Sequence, residues 1–322
     1  MDLATLEKAD DKHWRSLSAS AKGSMYRSCA NGVQHNLCNW MVPAKDVQDL
    51  CQACRLNNVI PDLAVEGNLG RWAKLESAKR RVLYTLKHIG LPLDAAAENR
   101  PALRFSFMGD PPGGPKVITG HANGLITINI TEADDAVREQ RRVELNEAYR
   151  TLLGHLRHEI AHYYWDRLIA NTPRLQPFRA LFGDETQDYA AALQAHYKNG
   201  PPPDWRQRFV SAYASSHPWE DWAETFAHYL HIQNMVETAA GFGLSLKPRH
   251  PDAQSMTADL KTVDERDANF DRVLTAWLPL TFALNEMSRG MGLPDIYPFV
   301  LSSVAMEKLR FIHHSSRQRA AA

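Results

Sequence analysis

His158-Glu159-Ile160-Ala161-His162 spells H-E-x-x-H, and this run constrains the fold more than any other part of the chain. Four helical residues turn through about 400°, so side chains at i and i+4 share one face, about 40° apart. Two imidazoles so placed can reach one Zn²⁺, and Glu159 can then hold a metal-bound water without ligating the ion. The motif has this meaning only on a helix. Leu145, Tyr149, Leu152, Leu153, Leu156, Ile160 and Tyr163 recur mostly at three- and four-residue steps, and Pro173 stops the pattern. The apolar stripe turns towards a core, with His155, His158, Glu159 and His162 beside it.

A catalytic zinc site needs three protein ligands and an open position. A metzincin would have glycine at position 165 and histidine at 168, where this chain has Trp165 and Leu168. The shortest gluzincin spacings fall on Leu181 and Phe182 and fail as well. Further on, residues 211–231 read SAYASSHPWEDWAETFAHYLH, with Pro218 suited to a first helical turn. Glu220 and Glu224 are then one turn apart on one face. Trp219, Trp222, Phe226, Tyr229 and Leu230 make this helix mostly buried, and buried carboxylates need partners. One of the two glutamates is expected to be the third ligand, with the other orienting a histidine.

The stretch Tyr213-x6-Glu220-x3-Glu224 resembles the active-site helix of the anthrax lethal factor and Mlc titration factor peptidases, which are gluzincins. That resemblance implies Glu220 as zinc ligand, Glu224 as its support and Tyr213 as donor to the reacting carbonyl. Longer blocks resemble the Mx family of bacterial zinc-binding metallopeptidases: CNWMVPA (38–44), CRLNNVIPDL (54–63), GHANGLITINI (120–130), LLGHLRHEIAHYYWDRLI (152–169), YASSHPWEDWAETFAHYLH (213–231) and MGLPDIYPFVLS (291–302). It implies a peptide or protein substrate. That resemblance leads one to expect members with a further cysteine-rich ribbon ahead of this region; beginning at Met1-Asp2-Leu3, the chain reads either as a short form or as one with a truncated start.

All four cysteines, Cys29, Cys38, Cys51 and Cys54, fall within one short segment. The C-x2-C pair and this clustering point to a structural zinc site closing a segment too short for its own core. The expected cofactors are therefore two Zn²⁺, one catalytic and one structural. No signal peptide precedes the cysteines and the first residues are polar, so reduced thiols and a cytoplasmic location are expected. A zinc module could bind nucleic acid, but formal net charge is zero and no basic stripe is present, so nucleic acid is not expected. A protein partner for the cysteine module is an open alternative. Lys79-Arg80-Arg81 and Arg141-Arg142 read as solvated helix faces.

The remaining organisation follows from pattern. The 322 residues, 44% hydrophobic and 23% charged, suit one or two globular domains. The longest apolar run, 273–284, is broken by Pro279 and too short for a bilayer, so no membrane span is expected. The predicted fold is α+β and zincin-like: mostly helical, with a small sheet before the H-E-x-x-H helix and an N-terminal four-cysteine zinc module. Boundaries are placed at 1–66 for the module and 67–322 for the zincin-like domain. Helices are expected over 68–90, 189–197, 270–288 and 303–313, the last two covering the site or the zinc module. Strands are expected over 102–130, with Gly124–Asn129 as a candidate for pairing with a substrate backbone. His196, His228 and His231 are expected to be hydrogen-bonded structural residues. The functional expectation is a zinc peptidase; the alternatives are a zincin-fold binding protein and a DNA-associated zinc protease.

Overall fold

Short strands and turns around the cysteines open the chain, because a segment with so few large apolar residues cannot bury a helix face. In the computed structural model, residues 5–93, 101–144, 150–264, 267 and 269–317 are described. They form two compact units, residues 1–83 with 94–138 and residues 84–93 with 139–322. Leu145 and Tyr149, expected on the H-E-x-x-H helix, lie outside the described residues.

The first unit begins with strands β1 (Leu6–Lys8), β2 (His13–Ser16), β3 (Met25–Ser28) and β4 (Met41–Pro43), an antiparallel meander in chain order. Helix α1 (Ala30–His35) starts directly after Cys29 and ends at Asn36, whose φ of 51° is left-handed. Strand β5 (Asn57–Val59) leads to helix α2 (Asn68–His88), then β6 (Arg104–Met108), β7 (Gly120–Ala122) and β8 (Leu125–Asn129). These strands make a mixed sheet of order β5-β6-β8-β7. Asn123 and Gly124, at φ 48° and 80°, form the tight β7–β8 turn. Both edges of β8 are occupied, by β6 and β7, so its backbone groups are spent within the sheet. The strand proposed to pair with substrate is an inner strand, and β7 forms that edge.

Phe105, Phe107, Ile126 and Ile128 fill the sheet's core against α2, which buries Trp72, Leu75, Val82 and Leu83. Lys79 departs from the solvated face expected of it. It is fully buried rather than solvated, donating to Glu76 Oε1 at 2.7 Å and to Asn57 Oδ1. Its ammonium lies 5.3 Å and 5.5 Å from the Phe105 and Phe107 ring centroids. Arg80 is nearly buried too, 3.7 Å from the other Glu76 oxygen. Read singly, the charges suggested solvent; Glu76, three and four residues earlier on the same face, pairs with them instead.

Helix α3 (Asp135–Glu144) is shared between the units. The second unit contains helices α4 (Leu152–Leu168), α5 (Leu175–Phe182), α6 (Tyr189–Asn199), α7 (Trp205–Arg208) and α8 (Pro218–Gly241), a two-stranded β9 (Ser245–Leu246) and β10 (Ala258–Asp259), and helices α9 (Phe270–Gly290) and α10 (Ser303–Arg317). The fold is thus mixed α and β and largely helical. Helices α4 and α8 pack directly on each other, and Trp222 Nε1 donates to Ala161 O at 2.9 Å, so one indole fixes their register. Phe178, Phe182, Phe226 and Phe311 surround Trp222. Helix α10 backs onto α8: buried Lys308 pairs with Asp221 at 2.5 Å, and His313 meets Tyr229 OH at 3.2 Å. Among the described residues, no helix is long and apolar enough to cross a membrane.

Candidate active site

Two well-capped helices carry the site. Thr151 Oγ1 accepts from Gly154 N at 3.0 Å and starts α4 one turn before His155. His217 Nδ1 accepts from Trp219 N at 3.1 Å, and Pro218 supplies a helical φ without a donor to satisfy, so α8 begins just before Glu220. Its other nitrogen lies 3.2 Å from Gln187 O, which fixes the ring as an Nε2–H donor.

The two α4 histidines turn their Nε2 atoms towards each other, 3.2 Å apart. Glu220 enters from α8, with Oε2 at 2.9 Å from His158 Nε2 and Oε1 at 3.6 Å from His162 Nε2. Glu224, one turn on, meets the opposite side of the His158 ring, 2.7 Å from Nδ1. Its second oxygen accepts from Ser211 Oγ at 2.6 Å. The glutamates therefore occupy different positions: Glu220 stands where both Nε2 atoms converge and Glu224 stands behind one ring. The Trp219 ring centroid is 3.9 Å from that of His162 and packs it in place.

The electrostatics follow from burial of opposite charges. Burial disfavours ionisation of Glu220, but the hydrogen bond and charge of His158 outweigh it and bring the carboxyl down to about 2. Burial also opposes a charged His158, yet Glu220 and Glu224 raise its pKa well above 6.5. A pocket that draws a proton between two carboxylates is one in which a cation can replace it. Glu159 is buried beside His155 Nε2, 3.4 Å away; burial pushes its pKa up, and His155 and the site histidines more than reverse this. It is held as a carboxylate, the form that accepts a proton.

Tyr213 sits on a single turn, Tyr213–Ser216, its ring centroid 6.0 Å from that of His158. Burial and the Glu220 charge push its phenol upward, so it is a protonated donor at neutral pH. A second phenol was not anticipated. Tyr189 OH donates to Glu220 Oε1 at 2.7 Å. Ser211 and His155 were also not singled out as site residues. Tyr189 lies 31 residues from Glu220 along the chain, so no local period could have shown it. The three further histidines divide: His228 Nδ1 meets Tyr297 OH at 2.6 Å and His231 Nδ1 meets Arg157 at 3.0 Å, while His196 packs edge-on against Tyr213.

The donor atoms of His158, His162 and Glu220 all lie within 4.8 Å of one another, as do the four cysteine sulfurs. Two ligand nitrogens about 2.0–2.1 Å from a tetrahedral zinc stand about 3.3 Å apart, and the His158–His162–Glu220 separations bracket that spacing. Thiolates at about 2.3 Å stand about 3.8 Å apart; Cys38 and Cys51 are 3.6 Å apart, too far for a disulfide. Backbone N–H groups of Cys51 and Trp40 point at Cys29 Sγ and Cys38 Sγ, at 3.3 Å and 3.5 Å, and favour the thiolate forms. Both sets fit zinc.

Two zinc-competent ligand sets, one of two histidines and a glutamate and one of four cysteines, place the chain in the class of zinc-binding proteins. Residues 68–315 match the family described as "Putative zinc-binding metallo-peptidase", and the chain belongs to it. Residues 1–65, the four-cysteine segment itself, match a zinc-ribbon domain. The relatives include an uncharacterized protein of Mycobacterium tuberculosis and one of Mycobacterium bovis. Each is 44% identical over 286 residues, spanning 88% of this chain and 81% of the relative. No solved structure matches the chain.

Proposed function

We propose that this chain is a zinc-dependent peptidase of the gluzincin type, with His158, His162 and Glu220 as ligands of the catalytic ion. The observation that carries the reading is the convergence of both Nε2 atoms and the Glu220 carboxylate, with Glu224 behind His158. When bound, zinc lowers the pKa of a water and polarises the substrate carbonyl. Glu159 takes the proton of the attacking water on its carboxylate and returns it to the leaving amine nitrogen. Tyr213 donates its phenolic hydrogen to the carbonyl oxygen as negative charge develops there. Glu224 accepts from His158 Nδ1–H, which fixes the tautomer and leaves Nε2 free to ligate.

Cys29, Cys38, Cys51 and Cys54 are proposed to hold a second, structural zinc, and four reduced thiols suit the cytoplasm. The test uses an unbiased peptide library. Cleavage should disappear on treatment with a chelator and return when zinc is restored. Tyr213→Phe should retain zinc and lose roughly 10²–10³-fold in rate, the scale of one oxyanion donor. Cleavage that persists in the zinc-free protein would dismiss the proposal.

A further inference from the structure

Tyr189 reaches Glu220 from a segment tied down at several points. Arg179 grips Glu185 through two bonds, at 2.9 Å and 2.6 Å. Gln187 O lies against His217, the cap of α8, and Asp188 Oδ1 caps α6 by accepting from Ala191 N at 2.9 Å. Tyr189 is the first residue of α6, so its direction is fixed by that cap and by the helix that carries Glu220. Its ring packs against His217 and Trp219, with centroids 5.2 Å and 5.9 Å apart. Every side chain of α6 is at least partly exposed, Tyr189 included at 38%, yet the Tyr189 hydroxyl ends on a carboxylate that is 1% exposed.

The two Glu220 oxygens thereby become unequal. Oε1 accepts from Tyr189 OH at 2.7 Å and is the farther from a histidine nitrogen, 3.6 Å from His162. Oε2 is 2.9 Å from His158 Nε2 and receives nothing from Tyr189. A carboxylate can ligate through one oxygen or both, and using both crowds the metal with an added donor, raising the coordination number above the four that three protein ligands and one open position make. We infer that Tyr189 is a positioning residue that keeps Glu220 a one-oxygen ligand, preserving the open position. This rests on the ligand set proposed above, and the experiment separates the two.

The probe is cobalt(II) in place of zinc, because its visible bands weaken as coordination number rises. Tyr189→Phe keeps the ring contacts and removes only the hydroxyl. The variant should keep one cobalt in the histidine site, show weaker visible bands than the parent, and lose roughly 10–100-fold in kcat with KM unchanged. A spectrum superimposable on the parent's, or outright loss of cobalt, would overturn the inference. Glu220→Ala is run beside it. If that variant keeps its cobalt and the parent spectrum, the ligand set itself is wrong and the inference falls with it. If it loses cobalt while Tyr189→Phe is unchanged, only the role of Tyr189 falls.

Discussion

His158 is contacted at both ring nitrogens, and this makes the two α8 glutamates chemically distinct. Glu220 faces the nitrogen that also faces His162, whereas Glu224 faces the nitrogen turned away. Glu220→Ala should therefore empty the catalytic zinc site. Glu224→Ala should weaken zinc binding by roughly 10–100-fold, the usual cost of losing a partner of a ligand. Competition with a chromophoric chelator measures both. The reverse ranking would exchange the two roles. At this scale the sequence was informative where chemistry repeats at helical spacing: His158 with His162 and Glu220 with Glu224 could be placed on faces before any coordinates. Tyr189 and Ser211 were illegible for a physical reason. Each acts through a hydroxyl that donates to a glutamate 31 or 13 residues along the chain, and a hydroxyl leaves no periodic trace.

Elements show how burial overrode the reading of charges. Lys79 and Arg80 looked like a solvated face of α2, but Lys79 bridges Glu76 and Asn57 beneath Phe105 and Phe107. Removing one member of a buried pair strands the other, at a cost of about 3–5 kcal/mol. Lys79→Ala should lose about that much in denaturant unfolding, and a loss below about 1 kcal/mol, the ordinary surface range, would show the pair to be solvated after all. Helix α8 carries a second consequence. Burial lowers the His228 pKa from 6.5 to about 4, and its ring stays neutral as acceptor for Tyr297 OH. Between those values the unfolded chain binds a proton that the folded chain refuses. Stability should then fall as pH drops from 6.5 to 4, by up to about 3 kcal/mol from this residue. His228→Gln should flatten the thermal stability profile over that range; an unchanged slope would assign the acid loss elsewhere. Element extents were well read where the 3.6-residue period was long, as for α2, α9 and α10. Strand β8 misled because alternation marks a half-buried strand without saying whether its edges are paired.

For the whole molecule, the two ligand sets fall in separate compact units, the cysteines in the first and the histidines in the second. Purified protein should carry two zinc ions per chain. His158→Ala should lose one and stay folded, since α4 and α8 are held by Trp222 and its aromatic neighbours. Cys51→Ala should lose the other and disturb the first unit, because structural zinc binding is part of its folding free energy. Elemental analysis with circular dichroism checks both, and a single zinc that disappears with His158→Ala would remove the cysteine site from the account.

The most direct test of peptidase action is Glu159→Gln at full zinc occupancy. Glutamine keeps the shape and hydrogen-bonding reach of Glu159 but cannot take a proton from water, and Glu159 lies outside the converging ligand set. Cleavage of a peptide library, measured by mass spectrometry at matched zinc content, should fall by roughly 10²–10⁴-fold. Equal cleavage by the parent and by Glu159→Gln would contradict the account.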